Sequence, residues 1–108
     1  MLLSMDFGTS SLKAMVMDDA GNTLFSAKAS YPLLVSQTDR AELHVDDVFG
    51  AFVGVASQAF EQYPSIEGIC YDAFAPSLML MDEEGGALAP LVTHMDRRSR
   101  AQSRWIAR

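Results

Sequence analysis

The N-terminus constrains this chain most. Two apolar runs, Leu2-Leu3-Ser4-Met5-Asp6 and Leu12-Lys13-Ala14-Met15-Val16-Met17, are rich enough for strands and too short for core helices. Between them stands Phe7-Gly8-Thr9-Ser10-Ser11, so a turn of glycine and hydroxyl residues predicts a β-hairpin from the first residue onward. Asp18-Asp19-Ala20-Gly21-Asn22 is a second turn signal, and Thr23 to Tyr31 resumes a rough alternation. The expectation is a three-stranded meander.

Pro32 to Leu43 reads as irregular. Asp46-Asp47 then opens a segment running through Tyr63, in which Val48, Phe49, Phe52, Val53, Ala56, Ala59 and Phe60 recur at helical spacing. Acidic residues stand at its positive end and Pro64 stops it. Gly68 to Phe74 is a strand whose return after a helix predicts a crossover to a parallel neighbour. Leu78-Met79-Leu80-Met81 and Ala87-Leu88-Ala89-Pro90 flank Asp82-Glu83-Glu84-Gly85-Gly86, which reads as an inserted hairpin with methionines that pack rather than hold a cofactor. Leu91-Val92-Thr93-His94 reads as a short strand, and Asp96 is placed to cap a helix over Arg97–Ala107. The order β-β-β-α-β, followed by a hairpin and a helix, describes the beginning of an α/β layer fold with a mixed sheet. About four principal strands and a last helix that ends in mid-pattern predict an incomplete domain, part of something longer.

Composition removes several classes of function. Eight Lys and Arg against 14 Asp and Glu give a net charge of −6, which argues against a nucleic-acid partner. The charge is uneven. Residues 1–96 carry all the acids and only Lys13, Lys28 and Arg40, a balance of −11, whereas the last twelve residues carry Arg97, Arg98, Arg100, Arg104 and Arg108, a balance of +5. A basic arm for RNA is one reading of that end; Trp105 and Ile106 favour a helix that packs, with its arginines in water. One cysteine, Cys70, leaves no intrachain disulfide and no zinc spacing, and reads as a buried strand side chain rather than a nucleophile. No apolar run approaches the roughly 20 residues of a membrane span, and the N-terminus lacks the pattern of a secretory signal. A cytoplasmic location without a membrane partner is the expectation.

The chemistry concentrates in Asp6 to Lys13. A turn of small residues exposes consecutive backbone N–H groups, a concavity that binds phosphate oxygens without a basic patch. Gly8 permits close backbone approach. Asp6, at the end of the first strand, is placed to hold the waters of a magnesium ion, and Lys13 to add a point charge. A plain hairpin turn accounts for the same residues as bare chemistry. Asp6-Phe7-Gly8 also spells the magnesium tripeptide of protein kinases, but that motif lies downstream of a glycine-rich loop, a strand lysine and a catalytic loop, none of which is expected ahead of residue 6.

Asp6-Phe7-Gly8-Thr9-Ser10-Ser11-Leu12-Lys13-Ala14 resembles the first phosphate loop of the FGGY family of carbohydrate kinases, D-x-G-T-x-S-x-K-A. Asp18 to Gly21 is similar to the D-x-x-G turn that follows it. Ala41-Glu42 with Asp46-Asp47-Val48-Phe49 resembles A-E-x-x-P-x-x-W, with Val45 in place of the proline. Leu80 to Gly85 resembles L-L-D-x-x-G, and Leu91 to Arg98 resembles I-x-W-x-D-x-R. Five matches in order over nearly the whole chain are specific where any one is weak.

The resemblance implies the N-terminal part of the first domain of an ATP-dependent sugar or polyol kinase, with the ribonuclease H-like fold of actin, Hsp70 and the sugar kinases. Gly8, Thr9, Ser10, Ser11 and Lys13 would bind the ATP phosphates, Asp6 would hold Mg2+ through water, and Ala75, Pro76, His94, Asp96 and Arg98 would lie beside the substrate. The catalytic base is expected beyond residue 108, so the segment alone would be inactive. Ala73-Phe74-Ala75-Pro76 replaces the polar residues with which glycerol kinases hold their substrate, which argues against glycerol. His94 replaces the family tryptophan and is placed to reach a sugar hydroxyl, although a structural role before a helix accounts for it as well. Asp72 reads equally as a polar group at the cleft or a strand-end turn former. A stand-alone, non-catalytic phosphate-binding or interaction module remains the alternative, one in which an exposed sheet edge would favour homo-oligomers; an actin-like or Hsp70-like ATPase segment fits the later motifs less well.

Overall fold

In the computed structural model, which describes residues 1–36 and 39–107, the meander forms as expected. β1 (Leu2–Phe7), β2 (Ser11–Met17) and β3 (Thr23–Ser30) run antiparallel. In register, Leu3 stands opposite Val16, Met5 opposite Ala14, and Phe7 opposite Leu12, so one face of the hairpin is continuously apolar. Leu3, Met5, Leu12 and Val16 are fully or almost fully buried on it. The β2–β3 turn is an Asx turn: the Asp18 carboxylate accepts from the Ala20 and Asn22 amides at 3.0 and 2.8 Å, and Gly21 takes the positive φ (85°) that glycine tolerates.

After β4 (Glu42–Leu43) comes α1 (Val45–Gln62), bounded by His44 as N-cap residue and by Tyr63, whose amide donates to the Ala59 carbonyl. Val55 and Ala59 are buried against the sheet, with Val48, Phe52 and Ala56 partly buried beside them. Phe49, Val53 and Phe60 stay exposed, so the apolar arc of the helix is wider than the surface the sheet offers it. α1 then delivers β5 (Gly68–Ala73) parallel to β1, completing a sheet of order β3-β2-β1-β5 with the expected crossover.

Four expectations are corrected. The stretch 32–43 is not wholly irregular: β4 pairs with β6 (Leu91–Val92) in a small second sheet, extended by bridges of Leu34 to Glu42 and of Leu78 to Val92; residues 37 and 38 of that stretch lie outside the described ones. Cys70 is exposed rather than buried, because β5 is the sheet edge and no layer among the described residues covers its Cys70 face. Asp96 does not cap a helix over Arg97–Ala107: α2 spans Arg100–Ile106, Ser99 stands at its N-cap, and the Asp96 carboxylate accepts from the Arg98 amide in the turn ahead of the helix and from the distant Ala41 amide. Nor does α2 pack within the described residues, where Trp105 and Ile106 are 75 % and 76 % exposed. The inserted hairpin is present but thin, held by one Met81–Ala87 bridge and a turn in which the Gly86 amide donates to Asp82 Oδ1 at 2.5 Å.

Candidate active site

The turn between β1 and β2 closes through the Gly8 amide, which donates to the Ser11 carbonyl at 3.0 Å. A Cβ on Gly8 would meet that same carbonyl oxygen at 3.1 Å, so a larger residue would have to open the turn. Ser11 is buried, while Thr9 is half-buried and Ser10 exposed. Of the three hydroxyl residues expected to meet a phosphate, Thr9 and Ser10 are therefore the ones that reach solvent.

Asp6 and Lys13 are partners in the β1–β2 register, and Lys13 Nζ lies 3.5 Å from Asp6 Oδ2 with both side chains more than half exposed. Such a pair contributes at most about 1 kcal/mol, so a ligand can part it cheaply. On the other side of β1, Asp72 of β5 is the parallel partner of Asp6. Residues paired across a ladder share a face, so both carboxylates stand on the open face of the sheet beside the turn. Asp72 thus lies on the open face of the sheet, its Oδ1 accepting from the Ala73 amide at 2.9 Å as a strand-end turn former does. Among the described residues no three His, Cys, Asp or Glu side chains converge. Two carboxylates fit Mg2+ held through its own water shell and not by a protein cage.

Ala75 and Pro76 follow β5 in an exposed loop, tied to the root of the turn where the Phe74 amide donates to the Phe7 carbonyl at 2.9 Å. The other face of the sheet end carries a wholly different surface. Phe7, Phe49, Phe52, Ile69 and Tyr71 line an apolar groove of about 490 Å³ between β1, β5 and α1.

Asp96 and Arg98 form a separate cluster, and among the described residues no hydrogen bond or ion pair joins His94, Asp96 or Arg98 to the turn. The Asp96 side chain is almost fully buried: Oδ2 accepts from the Ala41 amide at 2.9 Å and from Arg98 Nη2 at 2.6 Å, and Oδ1 accepts from Arg98 Nε at 2.8 Å. Arg98 also pairs with Glu42. The hydrogen bonds from the Arg98 side chain hold the Asp96 carboxyl well below the usual carboxylate range, against the opposing effect of burial, with the Ala41 amide adding to it. Thr93 is buried and donates through both its amide and its hydroxyl to the Ala41 carbonyl, at 3.1 and 2.9 Å. The two motifs Ala41-Glu42 and Asp96–Arg98, far apart in sequence, are thus one structural knot. Only His94 of the three leaves its side chain exposed and outside the knot.

Tyr31, absent from the sequence-based site, belongs to it. Its hydroxyl donates to the Gly8 carbonyl at 2.5 Å and its amide to the Ser10 carbonyl at 3.1 Å. Burial, and then the Asp6 charge, push its phenol above the ordinary range. No spacing in the sequence points to this contact; a tyrosine before a proline at a strand end was the only signal.

A mixed sheet of this order, built from a hairpin meander and a helical crossover, is of the ribonuclease H-like class that sugar kinases share with actin and Hsp70. Within that class the chain belongs to the FGGY family of carbohydrate kinases: residues 1–108 match the family's N-terminal domain. It is 28% identical over 100 residues to a gluconokinase of Bacillus subtilis, covering 91% of this chain and 20% of the relative. It is 26% identical over 109 residues to a xylulose kinase of Lactococcus lactis, covering 97% of this chain and 22% of that protein. A solved xylulose kinase from Brucella ovis superposes with a TM-score of 0.89 at 23% identity over 96% of this chain and 22% of that one, a likeness of fold. The chain spans about a fifth of the length of the curated relatives it matches.

Proposed function

We propose that this chain supplies the phosphate-binding side of the active site of an ATP-dependent carbohydrate kinase, as the N-terminal part of its first domain. The observation that carries the reading is the Gly8–Ser11 turn, flanked on one open sheet face by Asp6, Lys13 and Asp72, in a chain that belongs to a carbohydrate kinase family. The backbone N–H groups and the Thr9 and Ser10 hydroxyls bind the terminal phosphate oxygens of ATP, and Lys13, released from Asp6, adds a positive charge beside them. Asp6, with Asp72 in register, holds the water shell of Mg2+; when bound, that ion neutralises charge on the phosphate oxygens. Ser11 shapes the turn from inside. Such a site contributes position and electrostatics to an in-line transfer of the γ-phosphate to a sugar hydroxyl, and the base that accepts the hydroxyl proton lies outside this chain.

The substrate class is a sugar or sugar acid, in line with relatives named as gluconokinase and xylulose kinase. Ala75 and Pro76 offer an apolar wall near the turn, and His94 offers a polar side chain from the second sheet. Asp96 and Arg98 act on the substrate side as the frame that holds that segment to Ala41. No described helix is long and apolar enough to cross a membrane, and a cytoplasmic enzyme acting on a small molecule suits the reading. A second reading, a non-catalytic module that self-associates, draws on the uncovered β5 edge, where Tyr71 is 74 % exposed.

The test is ATP consumption by the full-length protein across a panel of sugars, polyols and aldonates. Turnover with one of them that vanishes in Asp6→Ala, with the unfolding curve unchanged, supports the kinase and the metal assignment together. A full-length protein that consumes ATP with none of them returns the reading to a binding module. Residues 1–108 alone are expected to show no transfer.

A further inference from the structure

We propose that Tyr31 is the positioning residue of the phosphate-binding turn, its hydroxyl and amide holding the Gly8 and Ser10 carbonyls so that the Thr9 and Ser11 N–H groups face the ligand. The inference rests on the phosphate reading of that turn and goes beyond it by assigning what orients it. A trans peptide unit is planar, with its C=O and its N–H pointing in opposite directions. Fixing the Gly8 oxygen therefore fixes the Thr9 N–H, and fixing the Ser10 oxygen fixes the Ser11 N–H.

Tyr31 makes both bonds from one place, 23 residues away in sequence from Gly8. Among the described residues the Ser11 amide does not close the turn onto the Gly8 carbonyl; the phenol takes that acceptor instead. The phenol itself cannot wander, because Tyr31 is only 5 % exposed and packs in the main core with Leu12 and Leu43. The core thus grips the turn from behind through a rigid aromatic lever, leaving the ligand side free of protein partners. A turn pre-set in this way need not reorder its amides when a phosphate arrives.

Tyr31→Phe in the full-length kinase separates this role from mere packing, since the ring stays and only the hydroxyl goes. The expected result is a KM for ATP, and a dissociation constant for ADP, raised about fivefold to tenfold, the worth of one neutral hydrogen bond. The KM for the sugar stays within about twofold, a split between substrates that general loosening of the core would not produce. Lys13→Ala is run in parallel. If Lys13→Ala weakens ATP and ADP while Tyr31→Phe leaves both unchanged, the lever is overturned and the phosphate reading stands; if neither variant moves them, the phosphate reading itself fails. Hydrogen exchange on the unmodified protein gives a check independent of any variant. The Thr9 and Ser11 amides should exchange fast without nucleotide and gain protection with ADP, whereas protection already present without nucleotide overturns the proposed orientation.

Discussion

Every buried hydrophobic residue described lies between Leu3 and Ile66, whereas among the described residues from Gly68 onward Thr93 alone is buried as a whole, with the Asp96 carboxylate covered near it. The first region is held by a sheet face packed on a helix. The second begins with β5, held to β1 by its parallel ladder; beyond it Phe74 and Leu91 pack partly on the core, and the rest is tied by polar contacts: Thr93 on Ala41, Asp96 on Ala41 and Arg98, Asp82 on Gly86, and Ser77 on Phe74. Apolar burial scales with the area covered and tolerates small shifts, while a hydrogen bond contributes only where its groups are oriented and shielded. The comparison teaches that the described residues share one core, and that the segment after β5 is fixed to it largely through oriented polar groups.

The largest contrast is expected between Leu3 and Ile69, register partners on adjacent strands. Leu3→Ala, at a site with no exposure, should cost about 3 kcal/mol in denaturant unfolding. Ile69→Ala, on the uncovered edge strand, should cost about 1 kcal/mol or less. Equal losses would erase the distinction and mean that something covers β5 in solution.

Next in size is the Asp96 knot. Asp96→Ala leaves the Ala41 amide and the Arg98 guanidinium without their shared acceptor, and should cost about 2 kcal/mol. Because the folded carboxyl is held below the ordinary aspartate value of 3.8, its contribution is present above that value and is lost as pH falls below it. Melting temperature followed from about pH 6 down to about pH 3 should therefore fall less steeply in Asp96→Asn than in the unmodified protein. Parallel profiles would show that the knot contributes nothing to acid sensitivity.

The smallest effect belongs to α2. Trp105→Ala should change stability by no more than about 0.5 kcal/mol, since the side chain packs on nothing described. A loss several times larger would show α2 docked in solution and would blur the line between the two regions.

Legibility in the sequence follows the same division. The meander, α1 and the parallel return of β5 were readable because each rests on a period of two or of three to four carried over many residues. β4 and β6 were not, since Glu42–Leu43 and Leu91–Val92 are too short to carry a period and pair only because the chain brings them together. Asp96 had the local look of a helix cap, but a backbone amide 55 residues away takes one oxygen and Arg98 engages both. Cys70 was misplaced because burial of a strand residue depends on the layer above it, which no local pattern reports. At the candidate site the turn and its flanking Asp6 and Lys13 were legible as a motif. Asp72 became a partner of Asp6 only through the parallel register, and Tyr31 only through a bond that crosses from the end of β3 to the turn.

The parallel pairing of β1 with β5 also carries a consequence in time. β1 meets β2 across a short turn, while Leu2 meets Gly68 only after the whole meander and α1 have been passed. Closing that long loop costs more chain entropy, and is offset only once α1 has docked and carried β5 to the edge. The meander is therefore expected to form early and the β5 register late, to be seen in pulsed hydrogen exchange as β1 and β2 amides protected before those of β5. Asp6 and the proposed phosphate turn would be in place at the first stage. Asp72, the second carboxylate, joins them at the last, so the proposed site for a hydrated ion would come into being only when the slowest strand arrives.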